Sequence, residues 1–276
     1  MVAAAIQICS GEDQERNVST AFGLVRDAAR AGAQLVVLPE KWPCLGSDQA
    51  LIGSAQPLDG ELVGRLRDLA REEGIELFAG SIVEQRSDGS LANTALHINP
   101  QGELLATYSK IHTFDVVVDG REYKESALIT PGERAVLTTA GELTVGLSIC
   151  YDLRFPELYR LLALEGAQLF VLPSAFTYAT TRDHWEALLR ARAIENQCFV
   201  VAANQIGHHG AGLRSGGRSL IVDPWGVVLA QAPDRECFIL AELELEQLQR
   251  VRSQLPTLAN RRPSAYHLAE PSGQQR

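Results

Sequence analysis

LTVGLSICYDLRFPE, residues Leu143–Glu157, is an apolar run that stops on a cysteine and breaks at once into turn and helix formers. Leu143–Ile149 reads as a buried strand, and Pro156-Glu157 as the opening of a helix. A strand that ends on Cys150 and turns into a helix lifts the thiol to the mouth of a sheet. The backbone N–H groups that follow, Tyr151 first, then point toward whatever the sulfur attacks. Two further apolar runs end on a charged residue, QLVVLPE on Glu40 and LLATYSK on Lys110. Read as three strand ends along one sheet edge, these residues supply the thiol, carboxylate and amine needed to hydrolyse a carbon–nitrogen bond through a thioester.

Outward from this stretch, strand-like and helix-like runs alternate, the pattern of an α/β layered fold. Ala3–Cys9, Leu35–Pro39, Ile75–Ala79, Leu169–Leu172 and Phe199–Ala203 read as strands. Glu15–Ala31, Glu61–Glu73, Glu157–Glu165 and Asp183–Asn196 read as helices, the last with Asp183 as its N-cap. Hairpins are expected at Pro100-Gln101-Gly102 and at Asp223-Pro224-Trp225-Gly226. Thr113–Arg134 carries only weak patterning, and such loops often carry function. Gly207–Gly217 lacks the order of a phosphate-binding glycine loop and reads as a mobile surface loop, with His208-His209 exposed on it.

Composition narrows the function. The 276 residues are 46% hydrophobic and carry a formal net charge of −9, with no basic stripe, which argues against a nucleic-acid partner. No apolar stretch approaches the ~20 residues of a membrane span. Val2–Cys9 lacks the basic start of a secretory signal, so a cytoplasmic protein is expected. Five widely spaced cysteines, with no C-x-x-C pair, fit neither a disulfide framework nor a structural zinc site. Four are read as packing groups, and Cys150 is set apart by its neighbours. The scattered histidines do not suggest a metallohydrolase, and no metal or cofactor is expected.

Amide hydrolysis must overcome a carbonyl that resists attack and an amine that leaves poorly. A Cys150 thiolate meets the first difficulty. Lys110, with the Tyr151 N–H, fits the developing oxyanion. Glu40 fits the carboxylate that moves a proton to the leaving nitrogen and later takes one from water. Taken singly, each has a plainer reading: a core thiol, a capping or surface carboxylate, a solvated strand end. Their joint occurrence carries the argument as far as a thiol hydrolase. His112, two residues beyond Lys110, and His184 are alternative bases for a Cys–His hydrolase.

The segments LPEKW, YSKIHTFDV, LSICYDLRFPEL, PSAFTYATTRDHWEALLRARAIENQ and VDPWG resemble the nitrilase superfamily of carbon–nitrogen hydrolases, in the expected order over about residues 3–266. The resemblance implies a four-layer αββα sandwich that dimerises through its helical faces. It implies one domain over residues 1–276, with a tail from about residue 252 in dimer contacts. It places a Glu–Lys–Cys triad on Glu40, Lys110 and Cys150, and a supporting glutamate on Glu125, with Glu122 three residues away. Pro173–Gln197, VDPWG and the terminal RRPSAYHL most resemble the branch containing deaminated glutathione amidase and ω-amidase. That branch cleaves the 5-amide of a 2-oxoglutarate unit, so the substrate expected is a small amide bearing a carboxylate. Arg154 is the first candidate to bind that group, or else braces the helix start by pairing with Glu157. Phe176, Thr177 and Trp42 are expected to line the pocket, although packing is the plainer reading of the two aromatics. Gly217-Arg218-Ser219 departs from the Gly-His-Ser expected there, leaving the substrate open. A nitrile or N-carbamoyl substrate, or a catalytically silent binding homologue, are the alternatives.

Overall fold

In Val2–Gln7 (β1), Ala3 and Ala5 pack into one core while Ala4 and Ile6 pack into another. Alternate residues of a strand point to opposite faces, so a strand apolar on both belongs to the middle of a layered stack. The structure, a computed structural model, describes residues 1–265. The last residues of RRPSAYHL and the end of the tail lie outside the described residues.

After β1 come α1 (Gln14–Arg30), β2 (Leu35–Val37), α2 (Asp48–Gly53), α3 (Glu61–Glu73), β3 (Glu76–Gln85), β4 (Leu91–Ile98) and β5 (Leu104–Ser109). The chain continues through β6 (Asp115–Val118), β7 (Arg121–Lys124), β8 (Leu137–Ala140), β9 (Leu143–Leu147), α4 (Pro156–Leu164) and β10 (Leu169–Ser174). Next are α5 (Tyr178–Thr180), α6 (Glu186–Asn196), β11 (Phe199–Asn204), β12 (Ile206–His208) and β13 (Arg214–Gly216). β14 (Leu220–Val222), β15 (Val228–Gln231), β16 (Cys237–Glu242) and α7 (Leu245–Gln254) complete it.

Two six-stranded sheets result, ordered β16-β1-β2-β3-β4-β5 and β15-β14-β11-β10-β9-β8. Val18, Ala21 and Val25 of α1 and Leu62, Val63, Leu66 and Leu69 of α3 cover the outer face of the first sheet. Leu158 and Leu162 of α4 and Leu189 and Ala193 of α6 cover the second, in the same core that joins the two sheets. This is the αββα sandwich. Its middle strands are parallel, β1-β2-β3 in one sheet and β9-β10-β11 in the other, so their C-terminal ends gather on one side of the stack.

Several sequence expectations change. Glu40 and Lys110 follow strands of the first sheet and Cys150 a strand of the second, so the three meet across two sheets rather than along one edge. Asp183 is not an N-cap: the helix begins earlier, capped at Thr177, and passes through a π turn over Thr181–Trp185 before α6. Thr113–Arg134 holds the β6–β7 hairpin, and Gly207–Gly217 is largely the β12–β13 hairpin rather than a loose loop. Gly216 explains the close seat of that hairpin, because a Cβ there would lie 2.2 Å from Thr181 Cβ. Both hairpins have strands of only three or four residues, too short for alternation to show clearly.

Candidate active site

Glu40 stands just beyond β2, in a turn packed tightly against β3. Gly80 makes this possible: its φ is +62°, and a Cβ would lie 2.1 Å from the Pro39 carbonyl oxygen. The carboxylate is buried and held on both oxygens. Oε1 accepts from Lys110 Nζ at 3.0 Å and Asn93 Nδ2 at 2.8 Å, and Oε2 from the Ala175 N–H at 2.8 Å. Lys110 follows β5, and its N–H donates to the Asn93 carbonyl at 2.9 Å. Its side chain is 2% exposed, a placement that would be prohibitive without partners.

Those partners are two carboxylates, Glu40 and Glu125, the latter accepting from Nζ at 2.7 Å. Burial by itself would lower the Lys110 pKa; Glu125 and Glu40 reverse this and hold it well above its ordinary value. Glu125 also accepts from Lys41 Nζ at 2.7 Å, Asn93 Nδ2 at 3.2 Å and the Phe114 N–H at 2.9 Å. Burial would raise its pKa, but Lys110 and Lys41 together drive it far below the carboxylate range. Of the two neighbouring glutamates, Glu125 is therefore the one in the cluster, while Glu122 is exposed on β7. Two ammonium groups and two carboxylates balance, leaving the centre electrically neutral beside the thiol.

Cys150 sits at φ +47°, a left-handed conformation that costs a non-glycine residue about 1–2 kcal/mol. Asp152 holds the elbow in this shape. Its Oδ2 accepts from the Ile149 N–H at 2.8 Å and the Tyr108 hydroxyl at 2.7 Å, while its own N–H donates to the Ile149 carbonyl. Oδ1 accepts the His112 N–H at 3.2 Å and lies 2.7 Å from His112 Nδ1. One buried carboxylate thus ties the cysteine's turn to the strand end that carries Lys110. Burial pushes the Cys150 thiol well up, the Glu40 carboxylate adds to this, and Lys110 only partly offsets it. The resting group is a thiol, and its proton must be removed as it attacks.

Glu40, Lys110, Glu125 and Cys150 line one cavity of about 780 Å³. Tyr151, Arg154, Phe176 and Thr177 line it too. Arg154 makes no ion pair with Glu157 among the described residues. It spreads over the Phe176 and Tyr151 rings, 5.1 and 5.9 Å to the centroids, with Nη1 3.3 Å from His184 Nδ1. Trp42 does not line the cavity. It is fully buried, donates Nε1–H to the Ala79 carbonyl at 2.8 Å, and anchors the Glu40 turn from behind. His112 stacks on Phe155 with ring centroids 3.6 Å apart and is not a cavity residue. His209, expected on the surface, is buried in the cavity wall.

Lys41, Asn93, Asp152 and His209 were not singled out from sequence as site residues. Lys41 had a signal, being next to Glu40; Asn93 and Asp152 act through partners far away in the chain. Around the cavity, six cations (Lys41, Lys110, Arg121, Lys124, Arg154 and Arg214) face four carboxylates (Glu40, Asp48, Glu122 and Glu125). The cavity is cationic in a chain of net charge −9, which suits an anionic ligand.

A four-layer αββα sandwich with a thiol, a lysine and paired glutamates in one cleft defines an enzyme of the amidase class. The chain belongs to the carbon–nitrogen hydrolase family, which matches residues 2–253. It is 42% identical to deaminated glutathione amidase of Bos taurus over 272 residues, 95% of this chain and 82% of the relative. The crystal structure of the C. elegans NitFhit protein superposes with a TM-score of 0.90 at 37% identity, over 97% of this chain and 66% of that one. Saccharomyces cerevisiae Nit3, of branch 10 of the nitrilase superfamily, superposes with a TM-score of 0.85 at 31% identity, over 93% and 94% of the two chains.

Proposed function

We propose that this amidase hydrolyses the 5-amide of a 2-oxo-acid, deaminated glutathione first among them, through a Cys150 thioester. The observation that supports it most is the buried Glu40–Lys110–Glu125 cluster sharing a cavity with Cys150. Cys150 Sγ attacks the amide carbonyl carbon as its proton passes to Glu40. The oxyanion faces Lys110 and the Tyr151 N–H, which has no backbone acceptor among the described residues. Glu40 returns the proton to the leaving nitrogen, the C–N bond breaks, and the amine departs. Water then attacks the thioester, giving one proton to Glu40 while the sulfur leaves. Glu40 passes that proton to the sulfur, restoring the thiol, and the acyl product leaves as a carboxylic acid whose remaining proton is lost to solvent. Glu125 carries no proton in this scheme; kept ionised by Lys41, it keeps Lys110 charged and in place.

Arg154 is the group proposed to meet the substrate's carboxylate, with Phe176, Thr177 and Tyr151 shaping the wall around the acyl chain. The same acyl half occurs in 2-oxoglutaramate, which makes an ω-amidase the second reading. Ammonia or Cys-Gly release should be followed on deaminated glutathione, 2-oxoglutaramate, a simple nitrile and an N-carbamoyl amino acid. Preference for deaminated glutathione is expected; turnover of the nitrile or carbamoyl compound alone overturns the substrate while keeping the chemistry.

Five cysteines, all free, fit a reducing compartment better than an oxidising one, which favours the cytoplasm. Residues 1–276 are proposed to form a single domain that pairs as a homodimer. Exposed Leu161 and Leu164 on α4 and Ile194 on α6 supply an apolar face for this, and the tail from about residue 252 is proposed to join the contact. Light scattering on the purified protein reads the mass, and a monomer at micromolar concentration overturns the pairing.

A further inference from the structure

His209 stands in the turn between β12 and β13, where its N–H donates to the Leu213 carbonyl at 3.1 Å. The residue is 1% exposed and lines the cavity. Nδ1 lies 2.7 Å from the carbonyl oxygen of Ser10. A carbonyl oxygen only accepts, so Nδ1 carries the proton. Burial lowers the ring's pKa, the Ser10 bond opposes this only in part, and neighbouring His208 lowers it further. A neutral ring protonated on Nδ1 leaves Nε2 as a bare acceptor. Nε2 is buried and has no hydrogen-bond partner among the described residues. Buried acceptors are rarely left unpaired, and one in a cavity wall is a place for a ligand's donor.

The proposed substrate says where that donor comes from. Outside the scissile amide, the acyl half of a 2-oxo-acid amide offers only acceptors: an oxo oxygen and a carboxylate. The scissile amide itself is met by Glu40 and Lys110. A donor for Nε2 therefore belongs to the leaving group. Ammonia has none to spare, whereas a dipeptide has a second amide N–H. The same turn is also cationic. Arg214 pairs with His208 across the hairpin, and Arg121 Nη1 lies 2.8 Å from where a Cβ on Gly212 would stand. An acceptor for a peptide N–H beside cations for a terminal carboxylate is the complement of a short C-terminal peptide.

We propose that His209 Nε2 accepts the internal peptide N–H of a Cys-Gly leaving group, and so selects a peptide amine over ammonia. This rests on the function proposed above. The test compares wild type with His209→Asn on deaminated glutathione, on its analogue with N-methylglycine in place of glycine, and on 2-oxoglutaramate. Asparagine can still donate from the Nδ1 position to Ser10, so the hairpin keeps its anchor while the acceptor is lost. For deaminated glutathione, kcat/KM should fall about ten-fold or more, mainly through KM, and markedly more than for the other two. N-methylation should cost wild type about as much and cost the variant little. His209→Gln, which returns an acceptor near the Nε2 position, should regain part of the loss. Equal losses on all three substrates, or none on deaminated glutathione, overturn the inference. A wild type that does not hydrolyse deaminated glutathione at all overturns the proposed function, and the assignment of this donor with it.

Discussion

The floor and the rim of the cavity are built in opposite ways. At the floor, Glu40, Lys110, Glu125 and Cys150 are buried on strand ends, and each of the three charged groups is held by at least two partners. At the rim, Arg121 and Arg214 stand on two short hairpins and rest on aromatic rings, with Arg214 3.6 Å above the Tyr178 centroid. The floor suits one chemistry and tolerates little change. The rim can be altered one side chain at a time and so is where substrate choice is expected to reside. A rigid floor with an adjustable rim separates how a bond is broken from which bond is chosen.

The largest expected effect breaks the floor at its proposed nucleophile. Cys150→Ala should lower kcat by about 10⁴-fold or more, with a melting temperature close to wild type. Wild-type turnover in that variant would end the thioester mechanism. Lys110→Ala comes next, because it removes the cation from two buried carboxylates. Stability should fall by about 3–5 kcal/mol in denaturant titration. In the protein that remains folded, kcat should drop about 100-fold or more. A change confined to KM would make Lys110 a binding group.

Arg154→Ala sharpens the contrast from the rim. KM for a carboxylate-bearing amide should rise about ten-fold with kcat nearly kept, the mark of lost uniform binding. A fall in melting temperature with KM unchanged would instead return Arg154 to a bracing role. The smallest effect is one of pH. Glu125 titrates at 4.5 when unperturbed and far lower in the folded protein, so between those values the unfolded chain binds more protons. Its contribution is present above about pH 5 and drains away as the solution is acidified below the unfolded value, at up to about 1.4 kcal/mol per pH unit. Glu125→Gln should flatten that acid limb of the stability curve, and an unchanged limb would show that other carboxylates set it.

Much of the floor was readable from residue order. QLVVLPE, LLATYSK and LTVGLSIC announced strand ends, and the helix Glu61–Glu73 was bounded as observed, closing on Gly74. Their resemblance to a known hydrolase family pointed to Glu40, Lys110, Cys150 and Glu125, which the structure gathers around one cavity. The rim was poorly readable. Its hairpins have only three or four residues per strand, too few to show a period, and His209 sits in a glycine-rich run that looks solvated. Trp42 was misplaced for the converse reason: an aromatic beside Glu40 suggested a pocket wall, yet its indole N–H found a buried carbonyl in β3.

The sequence by itself determined the alternation of strands and helices, the groups that end the strands, and the class of reaction they support. Those properties are local, set by hydrophobic period and by the residue at each boundary. Only the tertiary structure decided that the reacting groups converge from two sheets and that Asp152 joins the elbow to the lysine strand. It alone revealed that Lys41 completes the charge balance, that Asn93 bridges the two carboxylates and that His209 turns inward. Those facts depend on which distant segments meet. Burying a charge or a hydrogen-bond acceptor is settled by partners tens to hundreds of residues away, which no local pattern records.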